Sequence, residues 1–406
     1  MARNRVIYAS EALFVGTSPA TGVQYSAAAP IASENRSSVV QLNRIQSCNY
    51  NYSINRIDVN QFGELAAIDR VLLDPPTVTL DFSYLNQSFF NEYTMGFAVN
   101  SGSNNQTSCL SGILDRTQED RNYFLKVSDE GVDAIGDRST STSGTSRAGY
   151  IGFGNGFISN YRTEGSVGNF PTTSITIDAL NLGFFRALGA STGIIHTGFL
   201  EDGSVVIDTP AVDPTNGNKV TGYVSMPLAK SNPSGAADGQ LALSVLRPGD
   251  ISFSFTQNGT ANAYQEGGAT ITDLKIQSYN ISLGLQNEDI KQLGSKYSFS
   301  KEPRFPINVQ MTVDAVLGDV NTGNLVDMLS GNGDFDCKVT IKHPTASPKR
   351  DQMVWQLRKA KLDGQSFTSS IGQNKSVTMT FTSQVGSTNQ TGVGLFMSGQ
   401  AINNTY

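Results

Sequence analysis

The sequence predicts a mainly β protein, and three observations support this fold class. Of the 406 residues, 38% are hydrophobic and 16% are charged, a composition that excludes a disordered chain. The chain has 40 glycines and 14 prolines, together with many Ser, Thr and Asn residues, which is typical of strands and turns. Apolar residues also alternate, as at Val78, Leu80 and Phe82, which gives a strand one apolar face.

A segment of the first half recurs in the second half. Residues 45–63 and 276–294 align without a gap at an offset of 276 − 45 = 231, with seven identities in 19 positions. Ordinary residue frequencies would give about one identity. The alignment relates Asp58, Gln61 and Gly63 to Asp289, Gln292 and Gly294, and it continues into alternating runs at 78–84 and 309–315. A shared strand register implies a shared fold, so the sequence predicts two homologous copies.

The closing strands of the two copies define the domain organisation. Residues 174–177 resemble residues 376–379 at an offset of 376 − 174 = 202, so the first copy contains 231 − 202 = 29 additional residues. A polar, low-complexity run at 139–146 predicts a surface insertion around residues 101–149. Turn-rich sequence separates the copies. We therefore predict a first domain at 1–185, a linker at 186–231 and a second domain at 232–406.

Each copy is predicted to contain a short helix and two closing strands. In the second copy, Leu325, Met328 and Leu329 fall on one face of a candidate helix at 321–329. The segment 89–93 is the weaker equivalent in the first copy. Asp363-Gly364 predicts a hairpin turn between the closing strands of the second copy.

Residues with catalytic or metal-binding potential are few. Cys48, Cys109 and Cys337 are far apart in the sequence, which favours three small buried side chains over a disulfide or zinc site. The two histidines, His196 and His343, occupy non-equivalent positions of the repeat, which argues against a metal cluster or a catalytic histidine.

Acidic pairs and glycine-rich sequence do not change this interpretation. Glu119-Asp120 and Asp334 with Asp336 could serve glycosidic chemistry, but acid pairs in turn-rich sequence are usually solvated. The segment 152–156 lacks the spacing of a phosphate loop and instead predicts a strand with a bulge or a close backbone approach. The sequence thus predicts neither an enzyme nor a bound cofactor.

Charge and hydropathy restrict the partners. The formal net charge is −6. The densest basic group predicts a solvated outer face or a patch that meets an acidic neighbour, more than a nucleic-acid site; it comprises Lys342, Lys349, Arg350, Arg358, Lys359 and Lys361. The first residues do not form a convincing signal peptide, and no segment approaches the ~18 apolar residues of a membrane span. We expect no membrane partner.

The repeat core at 41–63 and 272–294, each followed by a Pro-led alternating strand, resembles the major tail tube proteins of tailed bacteriophages that have a duplicated tube domain. The helix candidate after Val316 and the Thr-rich strand at 376–382 add to this resemblance. It implies two tandem β-sandwich or barrel domains, each with a short flanking helix, whose inner strands join neighbouring subunits around a lumen. By similarity, the crossing after Gly63 contacts the adjacent subunit or ring. The candidate inter-subunit residues are therefore Asp58, Gln61, Gly63, Asp289, Gln292 and Gly294.

The resemblance implies a structural virion protein that forms trimeric, pseudo-hexameric rings. These rings would stack into the tail tube through which the genome enters the host. The implied partners are other copies of the chain, the tape measure, the baseplate or tail tip, the terminator and, in a contractile tail, the sheath. DNA would pass through the lumen without specific binding, as the net negative charge favours. The protein would be located in the virion tail after assembly in the bacterial cytoplasm. The alternatives are a neck or baseplate ring component and a tandem β-domain adhesin.

Overall fold

The computed structural model describes twenty segments of the chain. They are residues 11–17, 39–72, 76–100, 107–114, 120–128, 133–135, 149–186, 194–196, 211–212, 219–220, 223–225, 229, 245–258, 274–290, 293, 300–317, 334–344, 351–369, 375–385 and 392–399.

The first half of the chain contains ten strands and one short helix among these residues. The strands are β1 Glu11–Thr17, β2 Val39–Gln41, β3 Ile45–Ser53, β4 Arg56–Val59, β5 Asp69–Leu72, β6 Thr77–Leu85, β7 Val99–Asn100, β8 Asp120–Val127, β9 Gly149–Ser166 and β10 Thr172–Arg186, and the helix is α1 Phe90–Thr94.

Four short strands follow, and nine more form the second half. The short strands are β11 Ile194–His196, β12 Ala211–Val212, β13 Lys219–Val220 and β14 Tyr223–Ser225, which pair as β11–β14 and β12–β13. The others are β15 Ile251–Asn258, β16 Leu274–Gly284, β17 Asn287–Ile290, β18 Ser300–Pro303, β19 Ile307–Leu317, β20 Asp334–Lys342, β21 Asp351–Thr368, β22 Ser376–Val385 and β23 Gly394–Ser398.

The two halves share one strand order. Antiparallel hydrogen bonds connect β1-β8-β9-β10-β6-β3 in the first half. They connect β15-β20-β21-β22-β19-β16 in the second half. Each half also carries a separate hairpin, β4–β5 or β17–β18. The predicted mainly β class is therefore confirmed, and the shared order is compatible with two domains.

The strand register relates the halves residue by residue. β3 and β6 pair in the same way as β16 and β19 at an offset of 231, and Gln46 and Gln277 each interrupt the register at the equivalent bulge. β9 and β10 pair in the same way as β21 and β22, with bulges at Ser159 and Asp363, which gives an offset of 363 − 159 = 204.

Two expectations from the sequence are corrected by this register. The predicted hairpin turn at Asp363-Gly364 is wrong, because both residues lie inside the continuous strand β21 at the bulge. The predicted offset of 202 for the closing strands is also wrong, since Ser174 is equivalent to Thr378. The additional length of the first half is therefore the difference between the offsets of 231 and 204, slightly less than the sequence predicts. A shift of two positions keeps every side chain on the same face, and alternation alone could not detect it.

A shared backbone distortion supports the offset of 204. Asn155 and Lys359 both adopt a left-handed conformation, with φ of 50° and 48°. The Asn155 N–H donates a hydrogen bond to Asn122 Oδ1 (2.9 Å), and the Lys359 N–H donates one to Asp336 Oδ1 (3.0 Å). This bulge confirms the strand-with-bulge prediction for 152–156, and a Cβ on Gly156 would lie 2.6 Å from Ile177 Cγ2.

The long strands create two layers in each half. β21 pairs with β20 along its first part and with β22 along its second part, so it contributes to both layers. Phe335 of β20 meets Phe381 of β22 edge to face across the core, with ring centroids 5.9 Å apart. In the first half, the rings of Phe82 on β6 and Tyr123 on β8 pack against each other, with centroids 6.2 Å apart. Burial of these aromatic side chains holds the layers together.

Of the two helices that the sequence predicts, the structure describes the one in the first half. The weaker candidate at 89–93 is helical as α1, in which Thr94 Oγ1 donates a hydrogen bond to the Phe90 carbonyl (2.7 Å). The stronger candidate at 321–329 lies outside the described residues. No helix within the described segments is long and apolar enough to cross a membrane.

Candidate assembly surfaces

The two halves join through their sheets. β16 of the second half pairs antiparallel with the last part of β9 over seven residue pairs, from Ser278 opposite Ser166 to Gly284 opposite Asn160. The Val167 N–H donates to the Gln277 carbonyl (2.9 Å) and the Leu285 N–H donates to the Ser159 carbonyl (2.8 Å), which extends the ladder at both ends. This joint makes a single sheet in the order β21-β22-β19-β16-β9-β10-β6-β3.

One face of the joint is packed into the core. Tyr279, Ile281 and Leu283 are buried there opposite Gly165, Thr163 and Tyr161. A Cβ on Gly165 would lie 2.6 Å from Tyr279 Cε1, so the absence of a side chain makes room for the tyrosine ring. The joint therefore has shape complementarity as well as backbone hydrogen bonds.

A second contact between the halves surrounds Trp355 of β21. Phe89 packs edge to face on Trp355, with centroids 4.9 Å apart. Trp355 Nε1 donates a hydrogen bond to Tyr161 Oη (3.1 Å), and Tyr161 Oη donates to Glu92 Oε1 (3.4 Å). Burial raises the pKa of the Glu92 carboxyl to about 7, and hydrogen bonds to the carboxylate partly oppose this effect. Nearby, β7 pairs in parallel with β23.

The joined sheet ends at two strand edges that no described strand covers. One is the edge of β3 that faces away from β6. The other is the edge of residues 361–368 of β21 that faces away from β22. Tyr50, Tyr52 and Ile54 at the first edge are 41–43% exposed, and Phe367 at the second is 45% exposed. Large apolar side chains at a free edge are typical of a protein–protein contact.

The opposite face of the joined sheet is polar. Ser, Thr and Asn dominate it, and the charged residues at its described positions include Asp81, Arg162, Glu164, Asp178, Lys275, Asp314, Lys361 and Asp363. Arg162 forms an ion pair with Glu164 (2.8 Å), while Asp81 accepts a hydrogen bond from Thr176 Oγ1 (2.7 Å). Acidic side chains therefore outnumber basic ones on this face.

The sequence-predicted site residues lie on the hairpins. Asp58 of β4 forms an ion pair with Arg70 of β5 (2.6 Å), and Asp289 of β17 forms one with Lys301 of β18 (3.3 Å). Gln61 and Gly63 lie in the exposed loop of the first hairpin, where Gly63 has a φ of 96°. Gln292 and Gly294 lie outside the described residues. The structure thus brings Asp58 and Asp289 into equivalent ion pairs.

The hairpin tips expose apolar side chains at equivalent positions. Phe62 and Leu293, which the repeat alignment relates to each other, are both fully exposed, and so is Leu65. Ile57, Val59 and other hairpin residues are also exposed. These side chains are a second set of exposed apolar residues, in addition to those at the strand edges.

The basic group is divided among several environments. Arg358 lies over the Phe396 ring, with Cζ 4.5 Å from the centroid, and Lys361 forms an ion pair with Asp334 of the same chain (2.8 Å). Lys359 is exposed at the bulge, and Lys342 is half-buried. Lys349 and Arg350 lie outside the described residues.

The described residues contain no group of three or more His, Cys, Asp or Glu side chains that could hold a metal ion. All three cysteines are free; Cys109 and Cys337 are buried as predicted, whereas Cys48 is half-buried on β3. Burial, with the nearby charges of Glu11 and Asp81, raises the pKa of the Cys48 thiol to about 12, which leaves it protonated. His343 is buried at the end of β20, and His196 lies in β11.

The strand-edge residues Tyr50, Tyr52, Ile54 and Phe367 were not identified from the sequence. Their signal is present, because Tyr50 and Tyr52 alternate with asparagines and could have been compared with Ile281 and Leu283. Without the strand order, however, an apolar position at an open edge cannot be distinguished from one in the core.

No known family profile matches the chain, and no curated protein matches it. Among solved structures, the baseplate of the anti-feeding prophage, determined by cryo-EM with six-fold symmetrisation, matches with a TM-score of 0.28 and 11% identity, over 37% of this chain and 93% of the other. A crystal structure of Hcp protein matches with a TM-score of 0.18 and 9% identity, over 29% and 73% of the two chains. Similarity at these TM-scores does not establish a common fold.

Proposed function

We propose that the chain is a structural protein of a virion tail that assembles into rings, and that stacked rings form the tail tube for genome delivery. The observation that carries this proposal is the joint between β9 and β16. It connects two equivalent halves edge to edge through one continuous sheet, and at each end of this sheet it leaves an equivalent edge that no described strand covers. A subunit with this arrangement can repeat the same contact with further copies.

Three chains per ring would give six equivalent halves. Heterologous contacts of this kind close into a ring when the rotation between units fits, and otherwise form open filaments. The predicted division into domains at 1–185 and 232–406, joined by a linker at 186–231, is part of this proposal. A closed ring would also remove the two strand edges that otherwise promote aggregation.

The hairpins would contact the adjacent ring. Phe62 and Leu293 occupy equivalent exposed positions, so each ring would present six apolar tips. In this proposal Asp58, Gln61, Gly63, Asp289, Gln292 and Gly294 contribute to the contact. The tape measure, baseplate or tail tip, terminator and any sheath would be further partners.

The polar face of the joined sheet would line the lumen. Basic walls hold DNA through phosphate contacts, with a salt slope of about −0.9 per neutralised phosphate. A face that carries Asp81, Glu164 and Asp314 but few bases lets DNA pass without specific binding. The protein would thus have no enzymatic activity, and it would act in the virion tail after assembly in the bacterial cytoplasm.

Negative-stain microscopy of the purified chain tests the proposal. We expect hollow rods of stacked rings whose class averages contain three chains and six wedges. Six chains with twelve wedges would overturn the three-chain ring, single rings that never stack would favour a neck or baseplate component, and a strictly monomeric protein would overturn the assembly itself.

DNA binding provides a separate test of the lumen. Assembled rods are expected to show no submicromolar binding of duplex DNA at low ionic strength. Salt-sensitive submicromolar binding that Lys359→Glu abolishes would contradict the conduit and favour a DNA-anchoring component.

A further inference from the structure

We propose that β3 of one chain pairs antiparallel with residues 364–369, at the end of β21, in a second copy of the chain, with Tyr50 opposite Phe367. This inference rests on the proposed ring-forming function and names the surface and the register that would close the ring. It follows from the joint inside the chain, since each free edge is equivalent to one strand of that joint.

The offsets between the halves give the register. β16 corresponds to β3 at the offset of 231, and the end of β21 corresponds to the end of β9 at the offset of 204. Ile281 opposite Thr163 therefore becomes Tyr50 opposite Phe367, and Leu283 opposite Tyr161 becomes Tyr52 opposite Gln365. Both offsets rest on hydrogen-bond patterns that include the bulges, so the transferred register has no adjustable shift.

The proposed pairing requires the edge of β21 that faces away from β22, and no described strand covers this edge beyond the end of β20. In the first half, β8 pairs with β9 up to Phe157, and β16 continues on β9 from Asn160 onward. In the second half, β20 pairs with β21 up to Ala360, and no described strand continues beyond it. The bulges at Ser159 and Asp363 mark the same position in the two strands. A strand that paired with β21 beyond the end of β20 would therefore follow β20 along β21 in the way that β16 follows β8 along β9.

Burial at the joint between β9 and β16 differs from burial at the edge of β3, as expected for an occupied and an unoccupied interface. Ile281, Leu283 and Leu285 are at most 3% exposed, whereas their equivalents Tyr50, Tyr52 and Ile54 are 41–43% exposed. In the described part of the chain, the side-chain amide of Gln365 is sheltered from solvent and makes no hydrogen bond. A facing Tyr52 would bring a hydroxyl group to this edge.

The facing side chains are also chemically compatible. Tyr50 and Phe367 would form a cross-strand aromatic pair, which stabilises antiparallel sheets. On the polar face, Asn49 would lie opposite Thr368 and Asn51 opposite Ser366, and none of these four residues is charged. The half-buried Cys48 would become covered opposite Ser369, a pairing equivalent to that of Tyr279 with Gly165.

Disulfide trapping tests the register in the full-length chain. Asn51 and Ser366 correspond to Ser282 and Arg162, a pair between two hydrogen-bonded pairs of the ladder, where facing Cβ atoms approach closely. The test variant is Asn51→Cys with Ser366→Cys in a Cys48→Ala background. The matched control, Ser47→Cys with Ser366→Cys in the same background, is out of register by four positions. Asn49→Cys with Thr368→Cys tests the same register independently.

We expect oxidation of assembled rings to convert the test variant into a covalent species of three chains on a non-reducing gel, while the control stays monomeric. Rings without a cross-link at either test pair, or with a cross-link only in the control, would overturn this register and leave the ring-forming function intact. A covalent species of six chains would support the register and overturn the three-chain ring. Absence of both rings and cross-links would overturn both proposals.

Discussion

The joint between the halves and the free edges at β3 and β21 are made from equivalent strands, yet one is buried and the other is exposed. At the joint, Ile281 and Leu283 lie in the core; at the free edge, Tyr50 and Tyr52 remain 42% and 43% exposed. Equivalent positions of the two halves are therefore buried in the core in one half and exposed at an edge in the other. Substitutions at matched positions should therefore have different consequences.

The strongest effect is expected from the contrast between Ile281→Asp and Tyr50→Asp. An unpaired carboxylate at the buried Ile281 should lower the free energy of unfolding by more than about 3 kcal/mol. Tyr50→Asp should destabilise the chain much less, because it loses mainly the edge-to-face contact of a partly exposed ring with Phe153 (5.6 Å), and it should abolish ring formation. Thermal unfolding and analytical ultracentrifugation of both variants measure the two effects, and equal destabilisation by both would remove the contrast.

The next effect concerns Glu92, which lies at the contact between α1 and Trp355. Its folded-state pKa of about 7 lies above its ordinary value of 4.5, so the unfolded chain loses this proton first as the pH rises. The stabilising effect of the protonated carboxyl is thus complete below about pH 4.5 and declines by up to about 3 kcal/mol as the pH rises through 7.

Urea unfolding between pH 4.5 and pH 8 tests this expectation. The Glu92→Gln variant cannot ionise at this position, so its stability should decline less than that of the wild type over the same range. Parallel pH profiles for the two proteins would show that Glu92 is not the group responsible.

A smaller effect is expected at Gly165. Because a Cβ there would meet the Tyr279 ring at 2.6 Å, Gly165→Ala should destabilise the chain by about 1–3 kcal/mol through overpacking. The equivalent Ser369→Ala at the exposed edge should change stability by less than about 0.5 kcal/mol. Chemical denaturation of the two variants compares them, and a neutral Gly165→Ala would show that the tyrosine ring moves aside.

The weakest effect is expected at the hairpin ion pairs. Asp58 and Asp289 are exposed, so Asp58→Asn and Asp289→Asn should both leave the melting temperature unchanged. A clear loss of stability in only one of the two variants would contradict the equivalence of the hairpins. Scanning calorimetry of the two single variants is sufficient to decide this.

The candidate site could be predicted in part. The ungapped match identified Asp58 and Asp289, which the structure places in equivalent ion pairs on β4 and β17. The strand-edge residues Tyr50 and Phe367 could not be found in this way, because side-chain similarity gives the correct offset for β3 but an offset wrong by two positions for the closing strands. The bulges at Ser159 and Asp363 are visible only as shifts in backbone hydrogen bonding.

Sequence alone was sufficient for the mainly β class and the repeat, because alternation and ungapped identity are properties of side chains along one strand. The folded chain was needed to establish that Asp363-Gly364 forms a bulge, that β16 lies beside β9, and that no described strand covers the outer edges of β3 and of the last part of β21. The physical reason is that strand neighbours are chosen by backbone N–H and carbonyl groups, which every residue except proline carries. Side-chain alternation therefore reveals which face of a strand is buried, while the partner at its edge depends on the tertiary structure.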